Sequence, residues 1–114
     1  QSRKITEEQC SMARWIRTVE TNCRDKTREA EFNDWYNNVH LPDMLKCPVV
    51  VTTRRYERRD PKEDEAKYFA IYEIETDAIE DGLATFNDHV HSLREKGRMS
   101  DLVELVSRAI FQQI

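Results

Sequence analysis

The segment KYFAIYEIETDAIEDGLATFNDHVHSL, residues 67–93, decides the fold because the spacing of its apolar residues changes within it. The first nine residues alternate with a period of two, which predicts a β-strand. One face of this strand carries Tyr68, Ala70, Tyr72 and Ile74. From Asp77 onward, apolar residues recur at intervals of three and four, which predicts an amphipathic helix. The core-facing stripe of that helix is Ile79, Leu83, Phe86, Val90 and Leu93.

Both ends of this helix carry recognisable signals. Asp77 is followed three residues later by Glu80, so we expect Asp77 to cap the N-terminus in a capping-box arrangement. Gly97 comes directly after Lys96 and is a natural C-terminal cap.

Three more strands and one more helix flank this segment. The strands are MARWIRTVETN (residues 12–22), PVVVTTRRYE (48–57) and LVSRAIFQQI (105–114). On the last strand, alternation predicts one side with Leu105, Ala109 and Phe111 and the other with Val106, Ile110 and Ile114. The further helix begins near Thr27 or Arg28 and carries the stripe Phe32, Trp35, Tyr36 and Val39.

The order of elements is β-α-β-β-α-β, the ferredoxin-like arrangement of the α+β class. Residues 12–114 then form a single domain after an N-terminal tail, residues 1–11. An antiparallel sheet carries both helices on one face in this layout, and the other face stays open. Apolar residues are predicted on both faces, and an open apolar face is unfavourable in water. We therefore expect a homodimer, since a two-fold pair is the commonest way to cover such a face.

Charge and hydropathy argue against two classes of partner. The net charge is −4, and the basic run that includes Arg54, Arg55, Arg58 and Arg59 is followed at once by acidic residues. This mixture does not form the basic footprint of a nucleic-acid-binding protein. No apolar run approaches the roughly 20 residues needed to span a bilayer, and no signal peptide is seen as the chain stands. Neither nucleic acid nor a membrane is therefore expected as a partner.

The cysteines and histidines show no metal-binding pattern. Cys10, Cys23 and Cys47 are odd in number and form no CxxC pair, which predicts reduced thiols in a cytoplasmic protein. Cys47 could be a nucleophile, but a buried inert thiol is the more common case. His89 and His91 are two residues apart on a helix, so their side chains point about 200° away from each other. We predict no metal site.

The segment EFNDWYNNVHLPDML, residues 31–45, holds the remaining histidine, His40. Pro42 lacks a backbone donor and disfavours α geometry at Leu41, so the helix should end or break around His40. A short second turn should then follow from Pro42. Two interpretations stay open. His40 could interact with the negative end of the helix dipole, or it could project into a pocket and transfer protons near neutral pH.

Other polar and aromatic residues are weaker candidates. Tyr36 lies one turn before His40 and shares its face, so it could bind a substrate oxygen or simply pack. Asp43 could orient His40 or act as a second acid, although an acidic residue also suits a first helical turn. His89 lies at the edge of the core stripe. Aromatic residues on strands could line a pocket or pack in the core or dimer interface: Trp15, Tyr56 and Tyr72.

The pattern F-x-x-W-Y-x-x-x-H-x-P, formed by Phe32, Trp35, Tyr36, His40 and Pro42, resembles a known family motif. It is similar to F-x-x-Y-W-x-x-x-H-x-P of the EthD-like branch of the dimeric α+β barrel superfamily, with the tyrosine and tryptophan exchanged. The resemblance implies two sheets facing each other across a dimer, with a pocket in each protomer between sheet and helices. Members act as polyketide cyclases, lactone isomerases, dehydratases and cofactor-free monooxygenases. The resemblance also implies an acid/base role for His40.

Together these observations predict a cofactor-independent acid/base enzyme. It would cyclise, isomerise or dehydrate an aromatic, polyketide-like or lactone substrate. The expected catalytic residues are His40, Tyr36 and Asp43, and the expected substrate-binding residues are Trp35, Tyr72, His89, Tyr56 and Trp15. Two alternatives are a cofactor-free monooxygenase acting on a phenol and a dimeric binding domain without chemistry. Fold alone does not separate these functions.

Overall fold

The computed structural model describes residues 13–114. The predicted tail (residues 1–11, with Cys10) and Met12 at the predicted start of the first strand lie outside this range. The strands are β1 (Ala13–Cys23), β2 (Val50–Glu57), β3 (Tyr68–Thr76) and β4 (Val103–Gln112). The α-helices are α1 (Glu29–Trp35), α2 (Leu41–Met44) and α3 (Ile79–Glu95). A 3-10 turn, Lys26–Arg28, precedes α1, and a π-helical turn, Tyr36–His40, joins α1 to α2.

The four strands form one antiparallel sheet in the order β2-β3-β1-β4. Consecutive strands β2 and β3 pair directly, and β1 pairs with β3 on one side and β4 on the other. The helices α1 and α2 connect β1 to β2, and α3 connects β3 to β4. This is the ferredoxin-like topology, with the helices on one face, and it confirms the predicted fold class.

The core lies between this face and the helices. On β3 the predicted inward residues Tyr68, Ala70, Tyr72 and Ile74 are all buried, and the residues between them are only partly covered. Phe32 from α1 and Met44 from α2 are fully buried against them. Alternating burial along β3 therefore matches the period of two in its sequence.

The predicted cap of α3 is wrong by one residue. Ala78, not Asp77, occupies the N-cap position, and its side chain makes no capping bond. The hydroxyl of Thr76 instead accepts from the Ala78 N–H at 3.3 Å. The predicted C-terminal glycine is confirmed: Gly97 has φ of +72°, and the next N–H, that of Arg98, donates to the Leu93 carbonyl at 2.9 Å. Glycine adopts this left-handed geometry without the strain caused by a side chain.

Strand β4 differs from its predicted pattern because of a β-bulge. Leu105 lies opposite Thr21, and Ser107 lies opposite Glu20, so Val106 is the extra residue. An extra residue shifts the alternation by one position. Leu105 therefore lies on the helix-covered side with Arg108, while Ala109 and Phe111 lie on the open face.

The open face of the sheet is mixed in character. Phe111 and Tyr56 are 55% and 50% exposed, and Ile16 and Ile71 are partly covered. Glu73 lies among them and forms ion pairs with Arg14 at 3.6 Å and Arg54 at 3.4 Å. Glu73 is therefore an ion-paired residue of the open face and does not line the space between sheet and helices. Within residues 13–114, every helix is too short or too polar to cross a bilayer.

Candidate functional site

The π-helical turn between α1 and α2 sets the geometry of the site. The helix does not end at His40; its backbone continues through Leu41, whose N–H donates to the carbonyl of Tyr36, five residues earlier. In a regular α-helix the ring of Pro42 would clash with the carbonyl of Asn38. The wider turn relieves this clash, so the predicted break appears as a π-bulge. Such bulges are frequent at functional sites, and here the bulge buries both Tyr36 and His40.

His40 lies inside an aromatic cluster and is 7% exposed. Its ring stacks on Trp35, with centroids 4.9 Å apart and planes inclined by 20°. It meets the edge of Tyr36 at 5.1 Å. The Nδ1 atom is fully buried and has no hydrogen-bond partner among the described residues. Nε2 is therefore the ring nitrogen that a ligand could reach.

The imidazole of His40 is held neutral. Burial lowers its pKa from 6.5 to about 4, and nearby Asp43 opposes this effect only in part. Desolvation penalises the charged form of a base, which explains the direction of the shift. At physiological pH the ring therefore carries one proton and one free lone pair, so it can accept a proton.

Two buried tyrosines face each other beside this ring. The hydroxyl oxygens of Tyr36 and Tyr72 are 3.2 Å apart, and the two residues are 2% and 1% exposed. Burial raises the pKa of each, and the hydrogen bond to Tyr72 opposes the shift at Tyr36. Both are therefore neutral hydroxyls. Because one donates to the other, the proton of the acceptor hydroxyl stays free to donate to a ligand.

Arg55, which does not line the cavity, packs against the ring of Tyr36. The guanidinium of Arg55 lies 4.4 Å above the ring of Tyr36 and 4.4 Å above that of Tyr68. It also donates to Asn33 at 2.7 Å. This stacking fixes the plane of Tyr36 through cation–π attraction.

His40 and the two tyrosines, Tyr36 and Tyr72, line a cavity of about 440 Å³ between the sheet and α3. Its walls include four of the residues predicted from sequence: Trp35, Tyr36, His40 and Tyr72. The remaining lining residues are Arg17, Val19, Met44, Phe86, Asn87, Val90, His91, Arg94, Met99, Val103, Leu105 and Arg108. This volume and the aromatic walls are typical of a small-molecule site.

Asp43 and His89 lie outside this cavity. Asp43 is 4% exposed, and its two oxygens accept from Arg98 at 2.8 and 2.9 Å. This hydrogen-bonded pair holds the pKa of Asp43 below its usual range. His89 places Nε2 2.8 Å from the backbone carbonyl of Asp43. Both contacts join α2 to the α3 region, and neither side chain lines the cavity.

Two aromatic residues predicted to bind substrate, Tyr56 and Trp15, and the thiol of Cys47 also lie outside the cavity. Tyr56 projects from the open face of the sheet. Trp15 packs against the core, with a buried indole nitrogen that has no partner among residues 13–114. Cys47 is a free, buried thiol whose pKa is raised by burial. A raised pKa disfavours the thiolate, so this environment is that of a packing residue.

Replacing Arg98 with methionine should destabilise the protein by about 1–3 kcal/mol, because the buried Asp43 carboxylate loses two charged hydrogen bonds. Solvent can reach the Arg98 side chain, which keeps the loss below that of a fully buried pair. Urea denaturation measures the change. Arg28→Met is the matched control, and it should cost clearly less stability because its partner Glu31 is exposed. Equal losses in the two variants would contradict a structural role for Asp43.

Sequence reasoning missed the arginines of the site. Arg17 occupies the same alternating positions of β1 as Trp15 and Val19, so alternation could have placed it on the inner face. On β2, a register shift between Val50 and Thr52 interrupts the alternation and hid Arg55. Arg108 was hidden by the bulge in β4, which local sequence does not reveal.

No family model matches this chain, and no curated protein matches it. Solved structures do match. HapK from Hahella chejuensis is 17% identical, with TM-score 0.61 and coverage of 88% of this chain and 92% of HapK. A putative monooxygenase from Shewanella loihica is 13% identical, with TM-score 0.60 and coverage of 90% and 96%. A dimeric ferredoxin-like protein of unknown function from Thermobifida fusca is 12% identical, with TM-score 0.55 and coverage of 89% and 90%.

An ethyl tert-butyl ether d (ethd) family protein from Bacillus halodurans also matches, at 14% identity and TM-score 0.53, with coverage of 90% and 99%. The resemblance seen in the sequence motif therefore extends to the backbone. At these identities the comparisons establish the fold that the chain shares with these proteins, a ferredoxin-like α+β domain, and no reaction.

Proposed function

We propose that this protein is a cofactor-independent enzyme that transfers protons next to a carbonyl group. His40 is the general base, and the hydroxyls of Tyr36 and Tyr72 bind the carbonyl oxygen. The observation that carries this proposal is the neutral His40 ring, buried in the wall of a cavity beside two neutral hydroxyls. A base and an oxygen-binding donor within one partly apolar cavity are the minimum requirements for enolisation.

The chemistry follows from these positions. His40 removes a proton from the carbon next to the carbonyl, and the electron pair of that C–H bond moves to the oxygen. The tyrosine hydroxyl pair donates a hydrogen bond to the resulting enolate oxygen. Return of the proton to another carbon isomerises the substrate. Loss of a β-hydroxyl as water dehydrates it, and attack of the enolate carbon on a second carbonyl closes a ring.

The low pKa of His40 fits this role in one respect and limits it in another. A pKa of about 4 keeps the lone pair free across the physiological range, but a base this weak holds a proton poorly. A negative charge that develops on the substrate raises the pKa of a neighbouring imidazole. His40 would therefore become a stronger base as the enolate forms.

A cofactor-free monooxygenase is the second candidate function. It needs the same base to ionise a phenol before oxygen reacts, and one of the structures with this fold is described as a putative monooxygenase. Oxygen consumption distinguishes the two reactions. A binding domain without chemistry is the third candidate, and it predicts ligand binding without turnover.

The open face of the sheet supports a homodimer as part of this proposal. Phe111 and Tyr56 lie exposed there beside Ile16 and Ile71, and a second copy would cover them. One protein with this fold is described as dimeric.

Cys23 and Cys47 are free, which fits the cytoplasmic location that we propose.

A ligand panel followed by proton exchange tests the function. Aromatic ketones, lactones and phenols are screened by thermal unfolding, where a ligand at about 100 times its dissociation constant adds about 2.7 kcal/mol, or several degrees. Bound ligands are then incubated with the protein in D₂O. We expect loss of the NMR signal from the C–H next to a carbonyl, without oxygen uptake. Binding without exchange would contradict the proposal, and oxygen uptake would favour the monooxygenase.

A further inference from the structure

Three arginines line the cavity without a carboxylate partner. Arg17, Arg94 and Arg108 are all part of its wall, and no aspartate or glutamate is. None of the three forms an ion pair with a carboxylate of residues 13–114. The chain as a whole has a net charge of −4, so this concentration of positive charge runs against its overall balance.

Other arginines of the same structure show that pairing is the usual arrangement here. Arg14 meets Glu75 at 2.7 Å, Arg58 meets Glu20 at 2.8 Å, and Arg98 meets Asp43 at 2.8 Å. The chain has 22 acidic residues and 18 lysines and arginines, so acidic partners are not scarce. Arg24 and Arg55 lie outside the cavity and also lack an ion pair among the described residues, but each donates side-chain hydrogen bonds to protein oxygens.

Arg17 is the most informative of the three because it is only 8% exposed. It lies on the central strand β1, directly opposite Tyr72 of β3. Its guanidinium is 5.8 Å from the centre of the Phe86 ring. Burial and the nearby charge of Arg108 both lower its pKa. Arg17 is therefore a buried cation beside an exposed one, an arrangement that a bound anion would stabilise.

The sheet brings Arg17 and Arg108 to the same face. Arg108 pairs with Val19, two positions from Arg17 on the same side of β1. Such diagonal neighbours on adjacent strands are about 7–8 Å apart, within reach of long side chains. Arg94 approaches from α3 on the opposite wall. Two guanidinium groups that reach the same point from such positions can bind the two oxygens of one carboxylate.

We propose that the cavity takes substrates that carry a carboxylate, bound by Arg17 and Arg108, with Arg94 on the facing wall. This inference rests on the proposed function, because it names the substrate class of the same site. Arg17 is adjacent to Tyr72, whose hydroxyl meets Tyr36, so the anion-binding end of the cavity adjoins the proton-transfer end. The aromatic walls favour an aromatic or other flat acid over a free inorganic anion.

Matched probes test this proposal by equilibrium binding. 2-Naphthoate and its methyl ester share one ring system and differ in charge. We expect the acid to bind wild-type protein at least about tenfold more tightly than the ester, with an affinity that falls as salt rises. Arg17→Met should weaken binding of the acid by about 10–100-fold and leave the ester nearly unchanged. Arg17→Lys should restore part of the loss. Arg58→Met, on a paired surface arginine, is the control.

Three results with the naphthoate probes would overturn the proposal. They are equal affinity for acid and ester, undiminished acid binding in a folded Arg17→Met protein, and no binding of naphthoate at millimolar concentration. Tighter binding of phenyl phosphate than of naphthoate would also overturn it, in favour of a phosphate ester. Binding is measured apart from turnover. Carboxylate binding without proton exchange would refute the enzyme alone, whereas exchange on neutral ketones with no preference for acids would refute this inference alone.

Discussion

Replacement of His40 with glutamine lowers the rate of proton exchange by about 10²–10⁴-fold, the usual contribution of a positioned general base. Glutamine keeps a polar group and a similar volume but cannot accept a proton at neutral pH. The loss should fall on kcat, while ligand affinity changes little, because the ring acts on the reacting proton and Trp35, Tyr72 and the arginines still bind the substrate. The measurement is the rate of deuterium incorporation, with affinity from calorimetry on the same samples.

His89→Gln is the matched control for this result. It also removes an imidazole, but one that contacts the Asp43 carbonyl outside the cavity. We expect its exchange rate to stay close to that of the wild type, with a small loss of stability. Equal rates for wild type and His40→Gln, with both proteins folded and ligand-bound, would leave His40 as a packing residue stacked on Trp35.

Acidification from pH 6.5 to about 4 lowers the free energy of unfolding by about 3 kcal/mol through His40 alone. In the native protein this ring has a pKa of about 4, whereas in the unfolded chain it titrates near 6.5. Between these pH values His40 is protonated in the unfolded chain and neutral in the native protein. The free energy of unfolding therefore falls as pH falls. Well below pH 4 both states are protonated and this contribution stays constant. Urea denaturation across this range measures the slope.

His40→Gln removes this titration and should flatten the profile between pH 6.5 and 4. The Asp43–Arg98 pair acts at lower pH, because the pKa of Asp43 is already below its usual range. Its stabilisation is present above the unfolded pKa and is lost as pH falls through the folded pKa. An identical slope in wild type and His40→Gln would show that His40 is not held neutral by burial.

The elements were predictable where one rule dominated. Alternation on β3 and the stripe on α3 arise from burial on one side, which residue spacing reports directly. The bulge in β4 depends on its pairing with β1, and the π-helical turn depends on how the helix accommodates Pro42. Residue spacing reports neither. Val106 has no feature that marks it as an extra residue. Pro42 signalled a disturbance of the helix but not that the chain would widen its turn and continue.

The site was predictable where local periodicity places a residue and not where a contact between distant residues does. His40, Tyr36, Trp35 and Tyr72 lie around one cavity because helix and strand periodicity already placed them on inner faces. Asp43 is close to His40 in sequence, but its side chain turns to Arg98, a partner 55 residues away. No local rule predicts such a contact. Arg17 was overlooked because an arginine on a strand is usually exposed or paired.

An NMR titration of protein labelled with ¹³C-histidine, with His40→Gln to assign the signal, reports the protonation of His40 itself. We predict an apparent pKa of about 4 in the free protein, and a higher value when a carboxylate ligand occupies the cavity, because an anion favours the imidazolium. A pKa near 6.5 that does not respond to ligand would contradict this prediction, since His40 would then be a solvated residue and not a buried base.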